Sequence, residues 1–183
     1  IDYIKKDGFI INAEIPMFTQ GKRNTNASMV KALAKVLSGM TDEIEKFKPD
    51  LVLTGFDIGA NLATTIAAAH MNIPVAHIQG GEITGTIDES IRHAMSKFAH
   101  IHFPATEDAK NRLIRLGENP EYIFNVGCPS IDTIVQTPKV NKDILEKKFN
   151  IDFSKPTILL IQHPVTTESD ESKKQILNTI NAV

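Results

Sequence analysis

The sequence predicts an α/β fold built on a parallel sheet with helices on both faces. Three observations predict it. Short β-rich runs alternate with amphipathic helical stretches along all 183 residues. Apolar residues make up 42% and charged residues 23%, the balance of a globular chain rather than a disordered or fibrous one. Gly, Pro and titratable side chains collect after the strands, while ordinary punctuation such as Lys48-Pro49-Asp50 and Asn72-Ile73-Pro74 precedes them.

Each element has its own signal. Phe9-Ile10-Ile11 is a short extended run, and residues 16–26 form a polar loop suited to movement, through Gln20-Gly21-Lys22-Arg23-Asn24. Over 27–47 the apolar residues fall at Val30, Leu33, Leu37, Met40, Ile44 and Phe47. These three- and four-residue steps predict a long amphipathic helix, weakened at Gly39 and stopped by Lys48-Pro49-Asp50. Residues 51–54 read as a buried strand. The Ala-rich stretch 61–71 reads as a helix slim enough to lie close on a sheet. Further strands are predicted at 74–78, 101–103, 122–126 and 157–161. Further helices are predicted at 87–98, 107–116, 129–135, 142–149 and 168–180.

Lys+Arg is 20 and Asp+Glu is 22, a net charge of -2, so no general attraction to nucleic acid or anionic lipid is expected. Any anion must be held by local geometry. The one cysteine, Cys128, excludes an internal disulfide framework and a Cys-rich zinc site, and favours a reducing compartment. No run approaches the ~18 apolar residues of a membrane span. Asp2, Lys5, Lys6 and Asp7 do not read as a signal peptide, so a cytoplasmic location is expected. Ile1 is no translation start, so a preceding segment is expected as well. The texture changes over 138–156, a domain junction on this reading; the strand and helix beyond it cannot bury a core alone.

Ligands of open parallel sheets bind beyond the carboxyl ends of the strands. Those ends carry Gly55-Phe56-Asp57, Gln79-Gly80-Gly81-Glu82, Gly127-Cys128-Pro129-Ser130 and Gln162-His163-Pro164. Asp57 reads either as a turn residue or as a carboxylate aimed into the cleft. Gly80-Gly81 reads either as a tight turn or as backbone left open to a ligand. Neither a Walker A loop nor a G-x-G-x-x-G is present. Thr86 and Glu89 fit a capping box, with Asp88 and Glu89 at the positive end of the helix dipole. Arg92 and His93 follow within a turn, so two carboxylates, a guanidinium and an imidazole gather at one helix start, an arrangement that pushes pKa values apart. His77, His100 and His102 read as structural histidines of the strands, because a metal site lacks a carboxylate or fourth ligand at suitable spacing.

Taken in order, Gly55-Phe56-Asp57, His77-Ile78-Gln79-Gly80-Gly81-Glu82, Gly85-Thr86-Ile87-Asp88-Glu89-Ser90-Ile91-Arg92-His93-Ala94, Gly127-Cys128-Pro129-Ser130 and Gln162-His163-Pro164-Val165-Thr166-Thr167 closely resemble the UDP-N-acetylglucosamine 2-epimerase family, in its hydrolysing, sialic-acid-pathway branch. The resemblance implies two Rossmann-like domains facing a cleft, the GT-B arrangement. It implies an N-terminal domain over 1–137 lacking its first strand, a connection over 138–156, and the start of a nucleotide-binding domain over 157–183. It also implies that this stretch alone is inactive.

By the same resemblance Asp57, Asp88, Glu89 and His163 match catalytic or essential polar positions. Gln79, Gly80, Gly81, Glu82, Arg92 and His93 match the lining of the substrate cleft, and His100 and His102 match histidines near it. Gln79 stands where many members carry Glu; it exchanges no proton but hydrogen-bonds a sugar hydroxyl or acetamido group. Gly55-Phe56 replaces a His-Gly. The implied reaction takes UDP-N-acetylglucosamine and water to N-acetylmannosamine and UDP, with no metal or other cofactor. The implied partner is the UDP-sugar; separately, the long amphipathic helix over 27–47 reads either as packing on the sheet or as support for a homo-oligomer. Alternatives are a related sugar nucleotide (a 6-deoxy or 2,4-diacetamido sugar), a non-hydrolysing epimerase, a glycosyltransferase, or a binding module without catalysis.

Overall fold

The computed structural model describes residues 1–18, 25–164 and 166–183. The chain divides into two compact units, Ile1–Asp132 and Thr133–Val183. In the first unit the order is α1 (Asp2–Lys6), α2 (Asn26–Phe47), β1 (Val52–Gly55), α3 (Gly59–His70), β2 (Val75–Ile78), α4 (Ile87–Phe98), β3 (Ile101–Phe103) and α5 (Glu107–Arg115). A further helix, α6 (Pro129–Gln136), crosses the boundary.

The sheet is three-stranded, in the order β1-β2-β3, and both pairings are parallel. The predicted fold class therefore holds. Register sets Thr54 opposite His77 and His77 opposite His102, so these side chains share one face. Thr54 and Thr65 hydrogen-bond within that layer at 3.1 Å. The core joins Ile44 of α2, Ala67 and Ala68 of α3, Val75 of β2 and Ala99 just past α4. The alanines of α3 let it sit close on the strands, as its composition predicts. On the opposite face of β1, Leu53 is 59% exposed, so the described residues do not cover that side.

Local chemistry sets the helix ends. Thr25 and Ser28 cap α2 reciprocally, and Lys48 closes it in a left-handed conformation with its N–H on the Ile44 carbonyl. The weak point expected at Gly39 has a use: the Ile15 side chain packs directly against it, where a Cβ would lie 2.9 Å from Ile15 Cγ2. The loop residues Gln20, Gly21, Lys22, Arg23 and Asn24 lie outside the described residues.

Three expected extended segments form no strand. Residues 9–11 are irregular and carry no ladder. The stretch 122–126 opens with the 3-10 turn Pro120–Tyr122 and touches β3 through one isolated bridge, His102 to Ile123. It still runs alongside β3, with Phe124 N–H on the His102 carbonyl at 2.8 Å and Val126 N–H on the Pro104 carbonyl at 3.2 Å. Residues 157–161 are irregular, with Leu159 84% exposed. A β run needs a neighbour to satisfy its N–H and C=O groups, and the described residues of the second unit supply none.

The second unit holds α7 (Lys142–Phe149) and α8 (Ser172–Ala182), the latter preceded by 3-10 turns over Thr166–Glu171. Asn141 caps α7 by accepting the Asp143 N–H at 2.8 Å. Glu146 then accepts the Phe153 N–H at 2.9 Å and folds the following loop back on the helix. Among the described residues no helix is long and apolar enough to cross a membrane.

Candidate active site

The carboxyl ends of β1 and β2 both turn on a residue that is not glycine yet adopts a left-handed backbone, Phe56 at φ 63° and Gln79 at φ 59°. Such conformations cost energy outside Gly and Asn, so they persist where the surroundings enforce them. After β1, the Asn61 side-chain amide donates to the Gly55 carbonyl and closes the turn that delivers Asp57. After β2, Gln79 N–H continues the ladder onto the Phe103 carbonyl at 2.9 Å before the chain leaves the sheet.

Asp57 meets Arg92. The guanidinium donates through Nη2 to the Asp57 carboxylate and through Nη1 to the Glu82 carbonyl at 2.7 Å. The Arg92 side chain is 7% exposed and that of Asp57 28%, so the guanidinium is buried and the carboxylate partly open to solvent. One cation thus joins the turn after β1, the loop after β2 and the opening turns of α4. Side chains on a helix lean toward its N-terminus, which brings Arg92 back over the turn bearing Asp88 and Glu89.

The start of α4 differs in detail from the expected capping box. Thr86 is the N-cap and accepts the Asp88 N–H at 3.4 Å, but its hydroxyl donates to the Asp88 carboxylate at 2.9 Å. Glu89 instead reaches back to the Thr84 N–H at 2.7 Å. The shorter Asp88 meets the hydroxyl first, and the longer Glu89 spans to the loop. Its other oxygen lies 3.8 Å from His93 Nε2.

The glycines of the β2 loop are both buried and press against the protein itself. A Cβ on Gly80 would lie 2.9 Å from His77 Nδ1 and 3.0 Å from Ser96 Oγ. Gly81 has φ 84°, and a Cβ there would run into the Ala109 carbonyl. Arg112 of α5 donates to the Gly81 carbonyl. Glu82 follows at the rim, its carboxylate accepting from the Thr106 hydroxyl at 3.3 Å. Thr106 also caps α5, taking the Ala109 N–H at 3.1 Å.

Among the histidines, His77 is wholly buried under this site, with Nδ1 3.1 Å from Ser96 Oγ. Burial above all, then His102 and Arg92, push its pKa down to about 4, with Asp57 opposing. His102 is also buried, Nε2 3.4 Å from Glu118, whose other oxygen accepts from Lys97 at 2.6 Å. Burial lowers the His102 pKa against the pull of that carboxylate. His100 lies at the opposite end of β3 from the crest, its Nδ1 accepting the Val75 N–H at 3.2 Å. His77 and His102 are thus buried residues of β2 and β3, whereas His100 is exposed, precedes β3 and lies away from the end where it was expected. Among the described residues no cluster of His, Cys, Asp and Glu suited to a metal ion occurs.

Composition and spacing gave no sign of the contact between Gln79 and Cys128. Gln79 Nε2 donates to Cys128 Sγ at 3.1 Å, 49 residues away. Backbone N–H groups, Ser130 first and then Ile131, hold the Cys128 thiol below its ordinary range, with burial opposing. The only sequence signal was that Gly127-Cys128-Pro129-Ser130 follows a β-rich run. The first unit therefore gathers Asp57, Gln79, Gly80, Gly81, Glu82, Asp88, Glu89, Arg92 and His93 around the ends of β1 and β2 and the start of α4. His163 belongs to the second unit, where it is exposed in an irregular stretch.

The comparisons with known proteins agree with one another. A family model described as UDP-N-acetylglucosamine 2-epimerase matches residues 2–183. A UDP-N,N'-diacetylbacillosamine 2-epimerase (hydrolyzing) of Legionella pneumophila is 44% identical over 182 residues, which is 100% of this chain and 48% of that protein. A UDP-N-acetylglucosamine 2-epimerase of Neisseria meningitidis serogroup B is 36% identical over 133 residues, 73% of this chain and 34% of that protein. The crystal structure of a Neisseria meningitidis UDP-GlcNAc 2-epimerase bound to UDP-GlcNAc matches in fold with a TM-score of 0.66 at 23% identity, over 82% of this chain and 42% of that one. The chain spans about half the length, or less, of the relatives it matches. With its family model matched over residues 2–183, the chain belongs to the UDP-N-acetylglucosamine 2-epimerase family.

Proposed function

We propose that the protein containing this chain is a hydrolysing 2-epimerase that converts a UDP-linked 2-acetamido sugar and water to the free 2-epimeric sugar and UDP. One observation carries the reading: Arg92 joins the Asp57 carboxylate to the helix start that bears Asp88 and Glu89. Proton removal at C2 and proton return on the other face need distinct acid–base groups held around one ring. On this reading a base takes the C2 proton as UDP leaves C1, giving a glycal-like intermediate. Water then adds at C1 and a proton returns at C2 from the opposite face. Asp57 and the Asp88–Glu89 pair handle the protons, and His163 helps to hold or protonate the leaving diphosphate. Gln79, Gly80, Gly81, Glu82, Arg92 and His93 shape the sugar end of the cleft, with Gln79 as a hydrogen-bonding rather than a proton-exchanging residue. The single Cys128 suits a reducing, cytoplasmic setting.

Two substrates fit. The Legionella relative, with the higher identity over the whole chain, favours a UDP-linked 2,4-diacetamido sugar. The Neisseria relative favours UDP-N-acetylglucosamine, the substrate expected from the motifs. Full-length protein incubated with each should release UDP and the free epimerised sugar, and the ratio of kcat/KM values assigns the substrate. A product still attached to UDP overturns the hydrolysing reading, and an absence of any product overturns the enzyme reading.

A further inference from the structure

Behind the Arg92–Asp57 pair lies a second hydrogen-bonded layer that the mechanism above does not use. Ser96 stands one turn after Arg92 on α4, and its Oγ lies 3.1 Å from the Arg92 carbonyl and 3.1 Å from His77 Nδ1. His77 and Ser96 are both 0% exposed. A hydroxyl has one hydrogen, and a carbonyl can only accept, so that hydrogen goes to Arg92. In that arrangement the Ser96 oxygen accepts from His77, with the proton of the imidazole on Nδ1. A neutral ring with that tautomer leaves Nε2 bare, and Nε2 is buried with no hydrogen-bond partner among the described residues. A second proton there would set a buried charge close to the Arg92 guanidinium. Gly80 closes the layer, since a Cβ at that position would press on both His77 Nδ1 and Ser96 Oγ.

We propose that His77 is a positioning residue of this site: its Nδ1–H holds the Ser96 hydroxyl on the Arg92 carbonyl, and so fixes where the guanidinium meets Asp57. The role of Asp57 in turnover comes from the function proposed above, and this inference rests on it. His77 itself is out of reach of any substrate. It ties β2 to α4 by a directed side-chain bond behind the Arg92 contacts. A displacement of about 1 Å in such a support is enough to cost a large factor in rate.

The conservative variants separate the two ring nitrogens. Asn places an N–H where His has Nδ1, whereas Gln places its amide near Nε2. In full-length protein His77→Asn should keep kcat within about threefold of wild type. His77→Gln and Ser96→Ala should each lower kcat by roughly 10- to 100-fold while KM stays within about threefold. Equal kcat for the Asn and Gln variants, or a loss confined to KM, overturns the proposal. Should the Gln variant fail to fold, Ser96→Ala decides, and wild-type kcat in that variant overturns it. Imidazole nitrogen shifts measured by NMR give a readout independent of turnover. A proton on Nδ1 at pH 7 supports the assignment, and a proton on Nε2 overturns it. Wild-type protein that releases no UDP from either sugar nucleotide overturns the proposed function instead, a result the variants cannot mimic.

Discussion

Arg92 on α4 places its guanidinium on the carboxylate of Asp57, 35 residues earlier in the chain. The cation is nearly enclosed and the anion partly open to solvent, so the pair is asymmetric: Arg92 needs its partners more than Asp57 does. Replacing Arg92 with Ala should destabilise the protein by about 2–4 kcal/mol, short of a fully buried pair because Asp57 keeps some water. Arg92→Lys should recover only part of this, since an ammonium lacks the planar fork that reaches Asp57 and the Glu82 carbonyl together. Urea unfolding of the variants against wild type measures both, and a loss below about 0.5 kcal/mol for Arg92→Ala contradicts the assignment.

Asp57→Asn preserves shape while removing the negative charge and the ability to take a proton. In full-length protein it should lower kcat by about 10²–10⁴ if Asp57 exchanges a proton with the substrate. Steady-state release of UDP from the preferred sugar nucleotide checks this. Near-normal turnover removes Asp57 from the chemistry.

The buried His77 makes stability depend on pH in one direction. Its pKa lies at about 4 in the folded chain against an ordinary 6.5. Above pH 6.5 both folded and unfolded chains carry it neutral, and its contribution is fully present. As pH falls toward 4 the unfolded chain takes up the proton first, and that contribution is lost. The span corresponds to roughly 3 kcal/mol at most. Unfolding of wild type and His77→Asn compared at pH 7, 5.5 and 4.5 isolates it: the wild type should lose more stability over that range. Parallel losses in the two proteins contradict this burial.

Gly81→Ala should be among the more damaging single changes in the loop. The position needs φ 84°, and the added methyl would meet the Ala109 carbonyl of a neighbouring helix, which cannot swing away as a side chain would. The expected cost is about 2–4 kcal/mol, combining backbone strain with displacement of α5. Gly85→Ala is the control, since nothing lies within 4 Å of a Cβ there and its φ is not in the positive range. Equal thermal midpoints for the two variants contradict the packing described.

Elements whose causes are local were legible before any coordinates. The helices at 87–98 and 142–149 occur with the predicted bounds, because the apolar period and the capping residues Thr86 and Asn141 act within a few residues. The three paired strands and their parallel sense were legible for a related reason, since strand–helix–strand order admits few other arrangements. The predicted strand at 157–161 had the same composition but no ladder, because a strand exists only where another chain segment answers its hydrogen bonds, whereas 122–126 does lie along β3 but reaches it through a single bridge.

The site divides along the same line. Residue types alone marked Asp57, Gln79, Asp88, Glu89 and Arg92 as chemistry-bearing groups after β strands or at a helix start. Nothing in local propensity marks Phe56 or Gln79 for a left-handed backbone, since neither residue favours it and only the surrounding packing enforces it. Which partners these groups take was likewise beyond reach of spacing. The bonds from Arg92 to Asp57, from His77 to Ser96 and from Gln79 to Cys128 cross 35, 19 and 49 residues. Contacts at such separations depend on how far two elements slide before their side chains lock, a matter of packing that no short window of sequence contains.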